Sequence, residues 1–370
     1  MMKSQYKYYG WQASYFAGKI RGYLNYKGVD YVEKNINMID MLVTLPKHTG
    51  RQAMPALETK QGEWFCDTPL IMAELEKRHP QPPVLVEGPV QNFVAELFQN
   101  WVDDAWIPVA LHSRWSYPEN YEKLNRDEAG KSLLPFAPRF IRNRVADKAF
   151  LQNMARHLPA TGVVPEQLAL LEAWTKNSLD LLEIHFSKHG YLLGERPTVA
   201  DFGLLGPMFG HLNRDPWPKR QWLDLRPNLQ KWVEKMARGD KTSGELLEHD
   251  KIPETLMPLI KIILTEYMPF MDKTVQDLKG IIAAKQLKSG DKLPRSTGLI
   301  ELAMMDARYK RASFSYSLWR MQRTQKMVAQ YSQVDKDCLN AWLLKLGQAD
   351  FLTVDFGCEL KRHGLVAALV

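Results

Sequence analysis

The hydrophobic pattern at the start of the chain changes from strand-like to helical and back, and this order predicts a small α/β unit. The first predicted strand runs from Tyr6 to Trp11 and is rich in aromatic residues. A helix is predicted next, with the Ser14 hydroxyl as its N-cap and Gly28 at its end. Asp30 to Ile36 is predicted to form a second strand.

A predicted hairpin follows this βαβ order. A loop that contains Pro46 and Gly50 leads to an apolar strand beginning at Met54. The chain then turns at residues 59–63 and returns through a second short strand over residues 64–66. The sequence therefore predicts two antiparallel strands after the βαβ unit.

The hairpin and the helix after it carry the first candidate site. Thr68 is a natural N-cap, and Pro69 suits the first helical position because it lacks an N–H group that would be unpaired there. A tight turn at the strand start favours a cis Met54–Pro55 bond, which would let the Met54 backbone pair with an extended peptide. The free amides of the helix start suit a carboxylate. The segment predicts a site for a short anionic peptide, and the alternative is an ordinary hairpin with a well-capped helix.

The proline-rich segment at residues 78–83 predicts a linker to a mainly helical region. Helically spaced apolar residues predict helices over residues 93–105 and 165–185. Between them, residues 118–148 are basic and are predicted to be irregular.

A buried helix is predicted after residue 198. Thr198 and Asp201 have the spacing of a capping box, with Asp in place of the usual Glu or Gln. The helix over residues 200–212 is apolar nearly all round, so we expect it to run through a core. A further helix is predicted to start at Arg226-Pro227 and to end near Gly239.

The last third of the chain, residues 246–370, predicts a mixed, mainly helical extension without an internal repeat. Its predicted elements are a helix over residues 254–284 interrupted at Pro258 and Pro269, a strand pair over residues 299–319 and a helix over residues 322–346.

Composition and charge narrow the function classes. A chain of 370 residues with 45% hydrophobic and 25% charged residues is globular and long enough for two or three domains. The net charge of +7 is spread over the sequence, without the concentrated patch or motif that nucleic-acid binding requires. The N-terminus lacks the apolar core of a signal peptide, and no apolar run is long enough to cross a bilayer. We therefore expect a cytoplasmic protein that binds neither nucleic acid nor membranes.

The cysteines predict neither a metal site nor a disulfide framework. Cys66, Cys338 and Cys358 lie far apart, without the spacing of a zinc site. This usage suits a reducing compartment. Cys66 is interpreted as a buried strand residue and not as a nucleophile.

Four motifs in this order resemble the glutathione transferase superfamily over roughly residues 5–240. They are Met54-Pro55 followed by Asp67-Thr68, the run from Ser14 to Arg21 that is similar to the helix start of serine-type members, the capping box from Thr198 to Asp201, and Arg226-Pro227-Asn228-Leu229. The resemblance implies an α/β thioredoxin-like N-terminal domain over residues 1–83, an all-α C-terminal domain over residues 89–245, and the extension outside the usual family length.

The resemblance also implies a glutathione site. Met54 would pair with the cysteinyl backbone of glutathione, Asp67 and Thr68 would hold its γ-glutamyl end, and Ser14 would donate a hydrogen bond to its sulfur. Gln52 and Pro55 belong to the same implied binding set. A free thiol with a pKa of about 8.5 is mostly protonated at pH 7, so stabilising the thiolate is the chemical task.

The choice of catalytic residue stays open between two hydroxyls. Tyr8 and Tyr9 end the first strand, near where other classes keep a catalytic tyrosine, and a shift of one residue would favour Tyr9 over Ser14. The helix start has no cysteine, which argues against the cysteine classes and their deglutathionylating chemistry.

The electrophile, a small hydrophobic molecule, is expected between the two domains. Candidate lining residues are Phe16, Trp101, Asp104, Arg114, Trp115 and Tyr117, with core and surface aromatics as the alternative. The resemblance implies a homodimer, with glutathione as co-substrate and no metal. The extension is hypothesised to cover the substrate cleft or a subunit interface. The alternatives to conjugation are a non-catalytic scaffold that uses the extension to hold a partner, and glutathione-dependent isomerisation or reduction.

Overall fold

A four-stranded sheet forms the N-terminal unit, in the order β2-β1-β3-β4. The computed structural model describes residues 5–348, 354–364 and 366–370. β1 pairs in parallel with β2 and antiparallel with β3, and β3 pairs antiparallel with β4. The strands are β1 (Tyr6–Gly10), β2 (Tyr31–Asn35), β3 (Ala56–Glu58) and β4 (Trp64–Cys66). The predicted thioredoxin-like order of strands is confirmed.

Helix α1 (Tyr15–Lys27) connects β1 to β2 and has both predicted ends. The Ser14 Oγ accepts a hydrogen bond from the backbone N–H of Ala17 at 3.3 Å. Gly28 closes the helix with φ 66°, a conformation that glycine adopts without steric cost.

The predicted loop around Pro46 and Gly50 is helical, which corrects the sequence interpretation. A wide helical turn over Asp40–Thr44 continues into α2 (Leu45–Thr49). Pro46 follows the wide turn directly, inside a continuous helical stretch over residues 38–49, and Gly50 ends the helix with φ 74°. Of the two residues that predicted a loop, Pro46 lies within a helical stretch and Gly50 ends it.

Helix α3 (Thr68–Arg78) follows β4 and begins one residue earlier than predicted. Its N-cap residue is Asp67 and not Thr68, and Asp67 has φ 95°, which is unusual for a residue with a side chain. The Met54–Pro55 bond is cis, as expected, although the strand begins at Ala56 and not at Met54.

The helical region begins after the linker and contains more regular structure than predicted. Residues 118–148, predicted to be irregular, are mostly helical, because Pro118 and Pro138 stand at helix starts and interrupt no helix. The helices are α4 (Pro89–Ala105), α5 (Ile107–Trp115), α6 (Pro118–Asn120), α7 (Arg126–Leu133), α8 (Arg139–Ala146), α9 (Gln152–Ala155), α10 (Pro165–Phe186), α11 (Val199–Pro207), α12 (Pro216–Pro218) and α13 (Pro227–Arg238).

The predicted capping box lies at the start of the buried helix α11. Asp201 is fully buried and its carboxylate accepts from the backbone N–H groups of Thr198 and Leu192, each at 2.9 Å. The Thr198 hydroxyl donates to the same carboxylate at 3.1 Å. This arrangement satisfies amides that would otherwise be buried without partners.

Replacing Asp201 by alanine is expected to lower the free energy of unfolding by about 3 kcal/mol, since two buried N–H groups lose their acceptor. Urea unfolding followed by circular dichroism measures the change. Asp224→Ala is the control, because the Asp224 side chain is 44% exposed and pairs with Lys219 at the surface. Equal midpoints for the two variants would contradict the assigned role of the capping box.

The extension is a mixed region that packs on the helical region. The alternation from Ser313 to Leu318 predicts a strand through Trp319, but the strand ends at Phe314 and a helix begins at Ser315. The predicted helix over residues 322–346 is two helices, and Ser332 caps the second. The elements are α14 (Met257–Ile262), α15 (Met268–Lys285), β5 (Ser296–Met304), β6 (Ala307–Phe314), α16 (Ser315–Ala329), α17 (Gln333–Lys345), β7 (Leu360–His363) and β8 (Val366–Leu369).

One apolar cluster runs from the N-terminal sheet through the helical region into the extension. It includes Tyr8, Phe98, Leu205, Leu318 and Ala367. α16 and α17 both pack against α4, so one face of α4 is covered by the chain itself. None of the helices in the described ranges has the length and apolarity needed to cross a membrane.

Candidate functional site

β1 and β4 end, and β3 begins, at the same end of the N-terminal sheet. Tyr9 pairs with Ala56, and Ala56 pairs with Cys66, so these residues form one row across the sheet, called the end row below. The segment with the cis Met54–Pro55 bond enters the sheet at the end row. The chain from β1 towards Ser14 and the chain from β4 towards α3 leave the sheet there.

Ser14 lies between β1 and α1 and is half-buried. Its Oγ accepts from Ala17 N, so the hydroxyl proton can point towards a ligand. The loop before it is fixed by Arg114, whose guanidinium donates to the Ala13 and Gly210 carbonyls at 2.5 Å each. Arg114 also pairs with the buried Asp215 at 2.7 Å. Arg114, predicted to line the electrophile site, thus supports the loop that carries Ser14.

Tyr9 is buried and its hydroxyl has a partner inside the protein. It donates to Glu58 Oε2 at 3.3 Å, and its ring packs on Trp64 with centroids 4.9 Å apart. Burial, reinforced by the Glu58 carboxylate, raises the pKa of Tyr9 well above its usual value. The structure therefore places Ser14 and Tyr9 in different surroundings, and only Ser14 is at a helix N-terminus.

The predicted binding residues gather around the start of α3. Thr68 is buried in the first turn, and Pro55 is buried beside it, with its carbonyl accepting from Asp67 N at 3.4 Å. Met54 is half-buried, and Gln52 is exposed in the bend before it. Met54 belongs to the apolar cluster that also contains the end row.

Tyr316 and Arg362 of the extension and Arg51 of the N-terminal unit lie around the Asp67 carboxylate, and the sequence analysis did not assign them to the site. The Tyr316 hydroxyl donates a short hydrogen bond to Asp67 Oδ2. The guanidinium groups of Arg51 and Arg362 each lie 3.7 Å from the same oxygen. Burial, with the nearby Asp67 charge, raises the pKa of Tyr316, which keeps its phenol a donor.

A second charged cluster connects α1, α4 and α16. The buried Asp103 Oδ2 lies 2.7 Å from Lys19 Nζ and 2.6 Å from Arg320 Nη2. Arg320 follows Tyr316 by four residues on α16, so both point from the same helix face. This cluster links the extension to the helix that Ser14 caps.

The remaining predicted lining residues separate into two groups. Asp104 is buried and pairs with Arg311 of the extension at 2.9 Å, and Trp101 is buried among Phe98, Trp106 and Trp174, so neither faces an open site. Phe16 is half-buried and packs on the Tyr15 ring.

Trp115 and Tyr117 have different neighbours. Trp115 is half-buried and packs against the cluster that contains Met54. Tyr117 stacks on Trp217, with ring centroids 3.5 Å apart, and donates to Glu172 at 2.8 Å. Of the predicted lining residues, Trp115 is therefore the one that shares a cluster with the predicted binding set.

Two family models match the chain. A model of the glutathione S-transferase N-terminal domain matches residues 9–83, and a model of the glutathione S-transferase C-terminal domain matches residues 148–240. The first match covers most of the sheet, including the end row, and the second covers the helices that include the capping box. A search of the curated proteins finds no match.

Similar solved structures include the beta-etherase LigF from Sphingobium sp. strain SYK-6, at 18% identity over 63% of this chain and 94% of that chain, with a TM-score of 0.40. A glutathione S-transferase from Rhodospirillum rubrum F11 has 16% identity over 67% and 96%, with a TM-score of 0.39. One from Methylobacterium radiotolerans JCM 2831, in complex with glutathione sulfonate, has 21% identity over 68% and 100%, with a TM-score of 0.38.

Proposed function

This chain belongs to the glutathione transferase superfamily, and on that premise we propose that it conjugates reduced glutathione to a small hydrophobic electrophile. The observation that carries the proposal is that three segments join the sheet at the end row: the chain leading to the Ser14 cap, the cis Met54–Pro55 segment and the chain leading to α3. Together they offer a hydroxyl, the backbone groups of the segment before β3 and a helix N-terminus.

Each segment has a part of glutathione to bind. The Met54 backbone, directly before β3, suits the cysteinyl unit, because main-chain N–H and C=O groups can pair with an extended peptide. The first turn of α3, with Thr68, suits the γ-glutamyl carboxylate, because unpaired amides and the helix dipole favour an anion. Gln52 and Pro55 belong to the same segment.

Ser14 is proposed as the residue that stabilises the thiolate. A hydroxyl that donates to a sulfur anion makes a charge-assisted hydrogen bond, and the N-terminus of α1 adds a positive partial charge. The thiolate then attacks the electrophile, a sulfur–carbon bond forms, and the leaving group or the accepting atom takes the electron pair. Trp115 and the half-buried Phe16 are the proposed apolar contacts of the electrophile.

A homodimer stays part of this proposal. One face of α4 is covered by α16 and α17, so a second copy would bind elsewhere. The exposed residues Ile39, Leu42 and Val43 form an apolar surface near α2 that is open to such a contact.

A calorimetric titration with reduced glutathione tests the binding step. We expect about one equivalent per chain, and an approximately tenfold weaker affinity for Thr68→Ala, the loss associated with one hydrogen bond to a charged group. Thr265→Ala is the matched control, because Thr265 is exposed on the extension and its hydroxyl donates to the Lys261 carbonyl. No binding by the folded wild-type protein would refute the proposed function.

A second candidate function is a non-catalytic scaffold. The specific observation that favours it is the hydrogen bond from Tyr316 to Asp67, which engages a predicted glutathione ligand from within the chain. The two candidates differ in outcome: a scaffold stays folded but neither binds glutathione nor conjugates a test electrophile such as 1-chloro-2,4-dinitrobenzene.

A further inference from the structure

Among the described residues, the charges around the Asp67 carboxylate do not balance. One carboxylate faces two guanidinium groups, from Arg51 and Arg362, and each is 3.7 Å from Asp67 Oδ2, beyond hydrogen-bond distance. The one short bond to this oxygen comes from the neutral phenol of Tyr316. The start of α3 adds the positive end of an eleven-residue helix. A surplus of positive charge therefore lies where the γ-glutamyl carboxylate is proposed to bind.

Arg51 is buried and makes two hydrogen bonds within the protein, whereas Arg362 is more exposed and makes a single long one among the described residues. Arg51 donates to Cys66 Sγ at 3.1 Å and to the Gly364 carbonyl at 2.6 Å, and its side chain is 8% exposed. Within the described part of the chain, the hydrogen-bond acceptor of Arg362 is the Cys66 carbonyl at 3.4 Å, and its side chain is 25% exposed. Arg362 thus has donors and solvent access to receive a carboxylate.

The backbone at Asp67 adds a separate indication. Its φ of 95° is sparsely populated for a residue with a Cβ, and such conformations concentrate at ligand sites. Tyr316 and Arg51 hold the carboxylate of this residue from opposite segments of the chain. The side chain of Asp67 is therefore fixed between the sheet and the extension.

We propose that Arg362, in β7 of the extension, is a specificity-determining residue that binds the γ-glutamyl carboxylate of glutathione, while Tyr316 holds Asp67 in position beside it. This inference rests on the proposed function. The extension then supplies part of the ligand site, which would be incomplete if the chain ended after the helical region. Within the γ-glutamyl thiols that the proposed function gives, the charge surplus favours a ligand whose α-carboxylate is free and ionised.

The test uses the full chain and two ligands. Wild type, Arg362→Gln and Arg323→Gln are titrated with reduced glutathione and with its analogue in which the γ-glutamyl α-carboxylate is an amide. Arg323 is the matched control: it lies on α16, half-buried over the Trp319 ring at 5.3 Å. Circular dichroism and the melting temperature verify that each variant is folded.

We expect Arg362→Gln to weaken glutathione binding about tenfold, the effect of one charge-assisted contact, and Arg323→Gln to leave it unchanged. For the amide analogue, wild type and Arg362→Gln should bind equally, because the charged partner of Arg362 is missing. Unchanged or tighter glutathione binding by Arg362→Gln overturns the proposal, and the tighter result would identify the extension as an occupant of the site. If wild type binds neither ligand, the proposed function itself fails.

Discussion

Replacing Ser14 by alanine is expected to lower kcat/KM for conjugation at pH 7 about 100-fold. The hydroxyl proton is available because Ser14 Oγ acts as the acceptor for Ala17 N at 3.3 Å. Loss of this donor should raise the pKa of bound glutathione by roughly two units, and each unit corresponds to about 1.4 kcal/mol and a tenfold smaller thiolate fraction. The pH profile of kcat/KM, together with thiolate absorbance of the binary complex, measures the shift.

Two control variants separate catalysis from helix capping. Ser14→Thr keeps both the hydroxyl and the cap, so its pH profile should stay close to wild type. Ser14→Ala also loses a cap that contributes about 1 kcal/mol to stability, which thermal unfolding reports separately. Tyr9→Phe should retain activity, because the Tyr9 hydroxyl donates to Glu58 inside the protein. If Tyr9→Phe lost activity and Ser14→Ala kept the wild-type pH profile of kcat/KM, Tyr9 and not Ser14 would be the residue that stabilises the thiolate.

The local parts of the site could be predicted because each depends on a short stretch of sequence. The Ser14 cap, the cis Met54–Pro55 bond and the capping box at Asp201 each involve residues within a few positions of one another. The same local reasoning failed where proline and glycine have two uses. Proline and glycine predict a loop over residues 46–50, but Pro46 follows a wide helical turn and Gly50 ends the helix, while Leu45 packs in the cluster that includes sheet residues.

The contribution of the extension could not be predicted from local patterns. Tyr316 and Asp67 are 249 positions apart, and neither residue type nor spacing indicates that they meet. The alternation around Tyr316 predicts a strand, but α16 forms because Leu318, Trp319 and Met321 face a core shared with the rest of the chain. Tertiary burial outweighed a short period-two pattern. The aromatic and basic composition of this stretch indicated only that the extension covers the substrate cleft or a subunit interface, without naming a contact.

Replacing Asp103 by asparagine is expected to lower the free energy of unfolding by about 3–5 kcal/mol, because two buried cations lose their shared counter-ion. Lys19 and Arg320 approach the same oxygen, Asp103 Oδ2, at 2.7 Å and 2.6 Å. Burial already lowers the pKa of Lys19, and Asp103 opposes this effect. Urea unfolding measures the loss, with Asp337→Asn as the control, since Asp337 is exposed on α17. Equal midpoints for the two variants would contradict the prediction.

The same substitution tests whether α16 links stability to ligand binding. Arg320 and Tyr316 are four residues apart on α16, so loosening the Arg320 contact should also loosen the Tyr316 bond to Asp67. Hydrogen exchange in residues 315–329 should be faster in Asp103→Asn than in Asp337→Asn, and glutathione binding should weaken in parallel. Faster exchange with unchanged glutathione affinity would separate the extension from the site and leave α16 a purely structural element.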